Sequence, residues 1–505
     1  MRSPSLSTFV LAFAAALLAG CGSSLMSSGG AGPSGAAAPV SISMTDDPPA
    51  GVSVLFFQVT LTGASLTSTS GTTISLLNSN TPIQIDVSQL RSLTAFLNNA
   101  NVSAGSYSSL SLTFANPDLV IDNESDAALG SSCAVGSVCQ ISPSIDNAAT
   151  VSFTGAPFPL TVAANTPLGL LVDFHLNTVI QPDLSVNLGV ANGITLAPLP
   201  ASVSPVAAPF GFLTGTVVSP GASEFTLQTP WGKTFTVDAN SNTALVNFPP
   251  CAGPQILACL TSGAIVQVQV ASVENNGNLL AAEIVLLTGA STNGQYVDGT
   301  VIGFNAGGIK LLMHSQFPSP TAVPLGGVAT VAIDSGASFS IDSDGFTLPA
   351  GAVFSSFENL TYGQNLRVAV DSGSLSCATS NVLGRGGWGP PAFCTFSTRS
   401  VQLEPSQMTG TVSAISAPDF TLIQTLGVAC SPLPGVACPT ILTTVQTPVE
   451  TTSQTTYQGF TTDDFSGLAV NDLVSVRGWL IEQDNGLLDP AISLPYVVAQ
   501  DITLH

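Results

Sequence analysis

Apolar and polar residues alternate along most of this chain, in short runs separated by Gly, Pro, Asn and Ser. "AIVQVQV" after Gly263, "QNLRVAV" after Gly363 and "AVNDLVSVRGW" after Leu468 are of this kind, as are "AAEIVLL" from Ala281, "TRSVQLE" from Thr398 and "VAQDITL" from Val498. A period of two gives each run one buried and one wet face, which predicts strands. The runs also recur in a fixed order. "LTGTVVSPGASEFTLQT" from Leu213, "VDGTVIGFNAGGIKLLM" from Val297 and "MTGTVSAISAPDFTLIQ" from Met408 share a Gly-Thr-Val opening, a Gly- or Pro-containing turn and a second strand in the same register. Units of about 80 to 110 residues are too long for a solenoid, so each is expected to be a small closed barrel or sandwich of about five or six strands. The three repeats span residues 212–290, 296–405 and 407–505. Gly215, Gly299 and Gly410 are expected where the first strand bends to close the barrel, a place where a side chain would clash.

Residues 40–196 alternate without repeating. "VSISMTDDPPAGVSVLFFQVTLTGASLTS", "TPIQIDVSQL", "VSAGSYSSLSLTF" and "PFPLTVAANTPLGLLVDFHLNTVI" predict further strands joined by Asp-Pro and Gly turns. "VSQLRSLTAFLNNA", from Val87, places Leu90, Leu93, Phe96 and Leu97 on one helical face, and predicts a short helix crossing a sheet edge. In "APLPASVSPVAAPFG", residues 197–211, Pro and Ala crowd together without alternation, as in an interdomain linker.

The chain opens on Arg2 and an uncharged run from Leu6 to Gly20, too short to span a bilayer that needs about 20 apolar residues. Its layout is that of a signal peptide over residues 1–20. Ala19 and Gly20 before Cys21, after Leu17 and Leu18, resemble the bacterial lipobox, in which the Cys sulfur receives a diacylglycerol. Cys21 would then be the first mature residue, with 21–39 as a flexible tether to the membrane. Gly22 stands where an inner-membrane retention signal has Asp, so resemblance to other lipoproteins implies the outer membrane.

Removing Cys21 from the nine cysteines leaves an even set, which falls into neighbours: Cys133 with Cys139, Cys251 with Cys259, Cys377 with Cys394 and Cys430 with Cys438. Short loops join each pair, as local disulfides in an oxidising compartment require. Zinc is the competing account, but no pair has CxxC spacing and His175, His314 and His505 lie far away in sequence.

Charge changes the picture most. Lys and Arg number 8 against 30 Asp and Glu, a net charge of −22, and charged residues make up only 8% of the chain. Phosphate neutralisation needs clustered Lys and Arg, so nucleic acid is disfavoured as a partner. Adsorption to anionic lipid is disfavoured likewise, leaving acyl chains as the membrane contact.

The strand pattern "GTV … FTL … G-x-x-V-x-V … A-x-x-I-x-L" resembles the bacterial repeats of domain-of-unknown-function family 5666, over roughly residues 212–505, and implies OB-type barrels. Residues 40–196 resemble domain-of-unknown-function family 4382 at Asp46 or Asp47 with Pro48, at Gly105 with Tyr107, and at Leu171 with Asp173 and Phe174. That resemblance implies an Ig-like or transthyretin-like β-sandwich. His175 stands where such modules tend to carry an acidic residue, a departure at any shared metal site.

Candidate chemistry is sparse. Asp46, Asp47 and Asp173 can be read as calcium ligands, or Asp46 or Asp47 as a turn cap ahead of Pro48 and Pro49. The glycine-flanked Trp388, with Arg385, sits in the loop between Cys377 and Cys394. Its ring either stacks on a sugar or envelope protein, or folds down to plug the barrel. Trp231, in "TPWGKT", is a second candidate on a hairpin turn, and Trp479 alternates along a strand as a core residue. The sequence contains no G-x-S-x-G elbow, H-E-x-x-H, Walker loop or dinucleotide fingerprint. The expectation is therefore an all-β protein, a sandwich followed by three small barrels, lipid-anchored in the cell envelope with a non-catalytic binding or structural role and no cofactor unless calcium. Glycan binding through the tryptophans is one alternative, and hydrolysis by an unrecognised carboxylate pair is another.

Overall fold

The computed structural model describes residues 37–47, 54–77, 82–90, 94–122, 133–134, 138–145, 149–181, 183–199, 210–248, 257–287, 295–317, 324–343, 346–378, 388–389, 392–426, 443–460, 465–482 and 495–504. Apart from short helical turns its regular structure is β. In the N-terminal module the strands that matter below are β1 (Ala37–Asp47), β2 (Val54–Ser68), β3 (Ile83–Asp86), β4 (Ala95–Ser103), β5 (Gly105–Asp122), β6 (Val138–Ile141), β7 (Leu168–His175) and β8 (Ile194–Leu199). They form two facing sheets. One runs β8-β7-β1-β4, with β1 parallel to β7 and antiparallel to β4. The other carries β6, β5, β2 and β3 in antiparallel order. Alternate residues of both sheets meet in one apolar core, where Phe114 of β5 and Phe174 of β7 pack edge to face at 5.4 Å. This is the expected β-sandwich.

Three barrels follow, and all have the same strand order. The first is built from β9 (Phe212–Pro220), β10 (Glu224–Gln228), β11 (Thr234–Asp238), β12 (Ile265–Val273) and β13 (Leu279–Leu286). Pairing runs 9-10-11-13-12 and back to 9, antiparallel except that β11 and β13 are parallel. The second repeats this with β14 (Tyr296–Asn305), β15 (Gly308–Phe317), β16 (Val328–Ile341), β17 (Asn365–Ala369) and β19 (Phe393–Glu404), β16 and β19 being its parallel pair. A two-residue strand, β18 (Trp388–Gly389), leaves this barrel. The third uses β20 (Ser406–Ser416), β21 (Asp419–Leu426), β22 (Thr443–Glu450), β23 (Leu473–Ile481) and β24 (Tyr496–Leu504), with β22 parallel to β24. A closed five-stranded Greek-key barrel of this kind is the OB architecture.

The first two barrels close tightly at Gly215 and Gly299, two of the three glycines the sequence singled out. A Cβ on Gly215 would lie 2.4 Å from the Gln228 carbonyl oxygen, and one on Gly299 would lie 2.3 Å from that of Leu312. Two residues beyond each opening Gly the register slips, at Val217/Ser219, Val301/Gly303 and Val412/Ala414. A bulge at the same point in every first strand sharpens its bend.

The helix expected from Val87 is not formed. Val87–Leu90 makes one 3-10 turn, and Phe96 and Leu97 lie on β4. Both are buried because both faces of β4 are covered: Leu97 joins the sandwich core, while Phe96 joins the first barrel's core and packs edge to face on Phe235 at 5.6 Å. Two adjacent apolar residues on a doubly covered strand mimic helical spacing.

The modules share structure. Phe212 of β9 pairs with Ala95 of β4, and its N–H donates to Thr94 O at 2.7 Å, so one sheet continues from sandwich into barrel. Ala197 to Leu199 extend β8, and Phe210 is fully buried while its carbonyl accepts from Ser43 Oγ at 2.8 Å. Trp479 of the third barrel is core, as read from the sequence, but the core it fills is the second barrel's. There it packs on Phe346 at 5.1 Å and donates its indole N–H to Asp342 O at 2.7 Å.

Candidate functional site

The densest polar chemistry among the described residues lies between the sandwich and the second barrel. Strand β3 ends at Asp86, whose Oδ1 accepts from the Ser88 N–H at 3.1 Å and the Ser88 hydroxyl at 2.5 Å, an Asx turn that starts the 3-10 turn. This fixes Oδ2, which lies 2.8 Å from His314 Nδ1 of β15. On the other side of the ring, Nε2 is 2.8 Å from Thr300 Oγ1 of β14, and that hydroxyl donates to Asn365 Oδ1 of β17 at 2.5 Å. Asn365 Nδ2 donates to Pro405 O at 3.3 Å, which sets the amide's orientation. The ring is thus held between Asp86 of the sandwich and Thr300 of the second barrel. Gln89 Nε2 lies 3.2 and 3.3 Å from the two ring nitrogens, and the Gln89 carbonyl accepts from Gln407 Nε2 at 2.6 Å. Fully buried Phe56, Val120 and Leu312 seal one flank, with the Phe56 ring 6.0 Å from the imidazole.

A second carboxylate stands nearby. Asn116 at φ 48 and Pro117 bend β5 and present Asp118 to Gln140 of β6, whose Nε2 donates to Asp118 Oδ2 at 2.6 Å. Burial pushes the Asp118 carboxyl up to about 6, the Asp86 charge adds to this, and the hydrogen bonds from Gln140 and the Leu119 backbone oppose it. Asp118 Oδ1 and Gln140 Oε1 are both buried with no hydrogen-bond partner among the described residues.

A third layer lies within the barrels. Arg367 of β17 holds Asp298 at 2.9 Å, Glu404 at 2.8 Å and Asp342 at 3.5 Å. Burial alone would lower the guanidinium's affinity for its proton, but the three carboxylates more than offset that and raise it. Asp342 also accepts from Asn247 of the first barrel at 3.1 Å, and its carbonyl takes the Trp479 indole of the third, so all three barrels meet at one residue.

The residues singled out from the sequence are placed differently. The backbone of Trp388 and Gly389 pairs with Ile141 and Gln140, so this strand from the second barrel adds an edge to the sandwich beside β6. The Trp388 side chain and Arg385 lie outside the described residues. Trp231 is half-buried in the β10–β11 turn against the cores of both sandwich and first barrel, with its indole N–H buried and without an acceptor among the described residues. Asp173 and His175 sit 3.8 Å apart on β7, where Asp46 and Asp47 are in register with Phe174 and His175, and the side chains of Asp46 and Asp47 lie outside the described residues. Among the described residues no group of three or more His, Cys, Asp or Glu side chains is arranged to hold a metal. Cys133 is bonded to Cys139 and Cys377 to Cys394; Cys259 is disulfide-bonded; Cys21, Cys251, Cys430 and Cys438 lie outside the described residues. Among the described residues no helix is long and apolar enough to cross a membrane.

Sequence reasoning missed Asp86, Asp118, His314 and Arg367. The available signal was a charged or titratable residue inside an apolar strand run, as in "LLMHSQF" and "NLRVAV". Such a residue is either exposed or paired across a module boundary, and alternation alone does not distinguish them.

Residues 37–198 match the family model described as Domain of unknown function (DUF4382), and residues 409–488 match the one described as Domain of unknown function (DUF5666). The second match lies within the third barrel and ends before its last strand, β24; the first two barrels share that barrel's strand order. No curated protein matches the chain. Among solved structures, a multidomain protein with nucleic acid binding domains from Streptococcus pneumoniae aligns with 57% of this chain and 73% of its own at 11% identity and a TM-score of 0.10, too low to bear on fold or function.

Proposed function

We propose that this chain is a cell-envelope protein, anchored by acyl groups on Cys21 in the outer membrane, where it serves a binding or structural role without catalysis of its own. The closed disulfides carry this reading. Cys133–Cys139 and Cys377–Cys394 are formed between sequence neighbours, and such bonds persist where the surroundings are oxidising. They agree with a leader that ends in "LLAGC". The polar groups support a structural role: Asp86 with His314, and Asp342 with Asn247 and Trp479, each spend their hydrogen bonds on joining modules. A chain so joined presents fixed surfaces at the end of a tether.

Two measurements test the proposal. Radiolabelled palmitate should enter the wild-type protein and not the Cys21→Ser variant, which should leave the membrane fraction. Unlabelled wild type, or an unprocessed variant still in membranes, overturns the anchor. Intact-mass measurement with and without reductant should show eight hydrogens gained, one for each cysteine other than Cys21.

A further inference from the structure

Strand register sets two carboxylates in one row of the sandwich. Gln58 of β2 stands opposite Asp86 of β3 on one side and opposite Asp118 of β5 on the other. Directly opposed residues of antiparallel strands share a face, at about 4.8 Å per strand, so both carboxylates flank Gln58 on the same side of the sheet. It is the outer side, because Phe57, Ile85 and Leu119 next to them point into the sandwich core. On this side Phe56 and Val120 meet Leu312 of the second barrel along the seam. Gln140 of β6 joins the row through Nε2, which donates to Asp118 Oδ2 at 2.6 Å. Opposite Gln140 on β18 stands Gly389, which brings no side chain.

The hydrogen bonds of this row do not close. Asp86 uses Oδ1 on Ser88 and Oδ2 on His314. Asp118 Oδ1 and Gln140 Oε1 are buried acceptors without donors among the described residues, and Gln140 as a whole is only 6% exposed. Both are oxygens, on side chains already tied to each other. Turning the Gln140 amide over would set an oxygen against Asp118 and strand Nε2 instead. A water would supply donors to the two oxygens but leave the carboxylate charge uncompensated, and Asp86 is the charge that Asp118 feels, one of like sign.

A cation meets both needs. We propose that Asp118 Oδ1 and Gln140 Oε1 are the protein ligands of a partly hydrated calcium ion, held in the field of Asp86. Calcium takes about six to eight oxygens, carboxylate and amide among them, at irregular angles and with water making up the number. Magnesium demands octahedral geometry and gives up its waters reluctantly, which suits two buried protein oxygens poorly. With no further carboxylate in the coordination shell, half-saturation belongs at the weak end of the calcium range, about 0.1 to 1 mM. The site is separate from Asp46, Asp47 and Asp173.

Calcium titration of the full chain at about pH 8, where Asp118 is ionised, tests the site through the midpoint of chemical denaturation. Calcium should raise the wild-type midpoint with half its effect in that range, and magnesium should need about tenfold more. Asp118→Asn and the near-isosteric Gln140→Met should each shift half-effect about tenfold or more toward higher calcium. Asp334→Asn, which removes an exposed carboxylate paired with Arg399, should respond to calcium as the wild type does. In chelator Asp118→Asn should be more stable than the wild type, and saturating calcium should reverse the order. No calcium response in the wild type, an undiminished response in Asp118→Asn or Gln140→Met, or magnesium acting as well as calcium overturns the proposal.

Discussion

Arg367 shows how much one side chain can hold in a chain this poor in charge. With Lys and Arg numbering only 8, it is set among three carboxylates in a buried site. Removing it leaves Asp298, Asp342 and Glu404 unpaired, so Arg367→Ala should cost about 3 to 5 kcal/mol in chemical denaturation. Truncating the carboxylates as well should recover part of that loss. Gly299 is a different case, because the obstacle is backbone. A methyl group 2.3 Å from the Leu312 carbonyl cannot be accommodated without moving a strand, and Gly299→Ala should cost about 2 kcal/mol or more by the same measurement. Asp118→Asn should do the opposite at neutral pH. The wild-type carboxyl holds its proton to about 6, so the wild type loses stability as pH rises from about 4 to about 6, up to about 3 kcal/mol. The amide does not titrate, so the variant's unfolding midpoint should be the higher one at about pH 8, and it should fall less than the wild type's as pH rises from about 4 to about 6.

Alternation made the strands legible, and repetition made the barrels legible, because a five-stranded closed barrel imposes the same glycine and bulge wherever it occurs. The element that misled was β4. Phe96 and Leu97 point into different cores, a situation visible only once the first barrel is docked on the sandwich. The seam residues were illegible for a related reason: His314 and Asp86 lie in different modules, and neither run advertises its partner. Trp479 was legible as buried, yet which barrel it fills depends on where β23 projects. At this scale the Cys377–Cys394 bond ties Cys377 directly opposite Cys394 across two strands, holding the base of the loop that carries β18. The bond closes a loop with a separation of 17 residues, and replacing both cysteines by Ser should cost about 3 kcal/mol by denaturation. The protection of β6 amides should fall with it, because β18 loses its mooring.

For the whole molecule, the joints outweigh the boundaries. A continuous sheet links sandwich to first barrel, Trp479 links third to second, and Asp342 touches all three barrels. The described modules should therefore unfold together, and calorimetry should show one transition where independent barrels would give several. Trp479→Ala removes a fully buried indole from the second barrel's core and should split that transition, with the third barrel melting separately after a loss of about 3 to 5 kcal/mol.

Strand β1 begins at Ala37 and lies between two neighbours, with eight consecutive positions in parallel register against β7. Tension applied to the chain upstream of Ala37 pulls along that strand. The ladders to β4 and β7 would then be sheared together, where an edge strand pulled sideways unzips one bond at a time. A polypeptide dragged by its amino end would resist as a unit, and single-molecule stretching from that end should meet a higher rupture force than stretching across β8 at the sheet's rim.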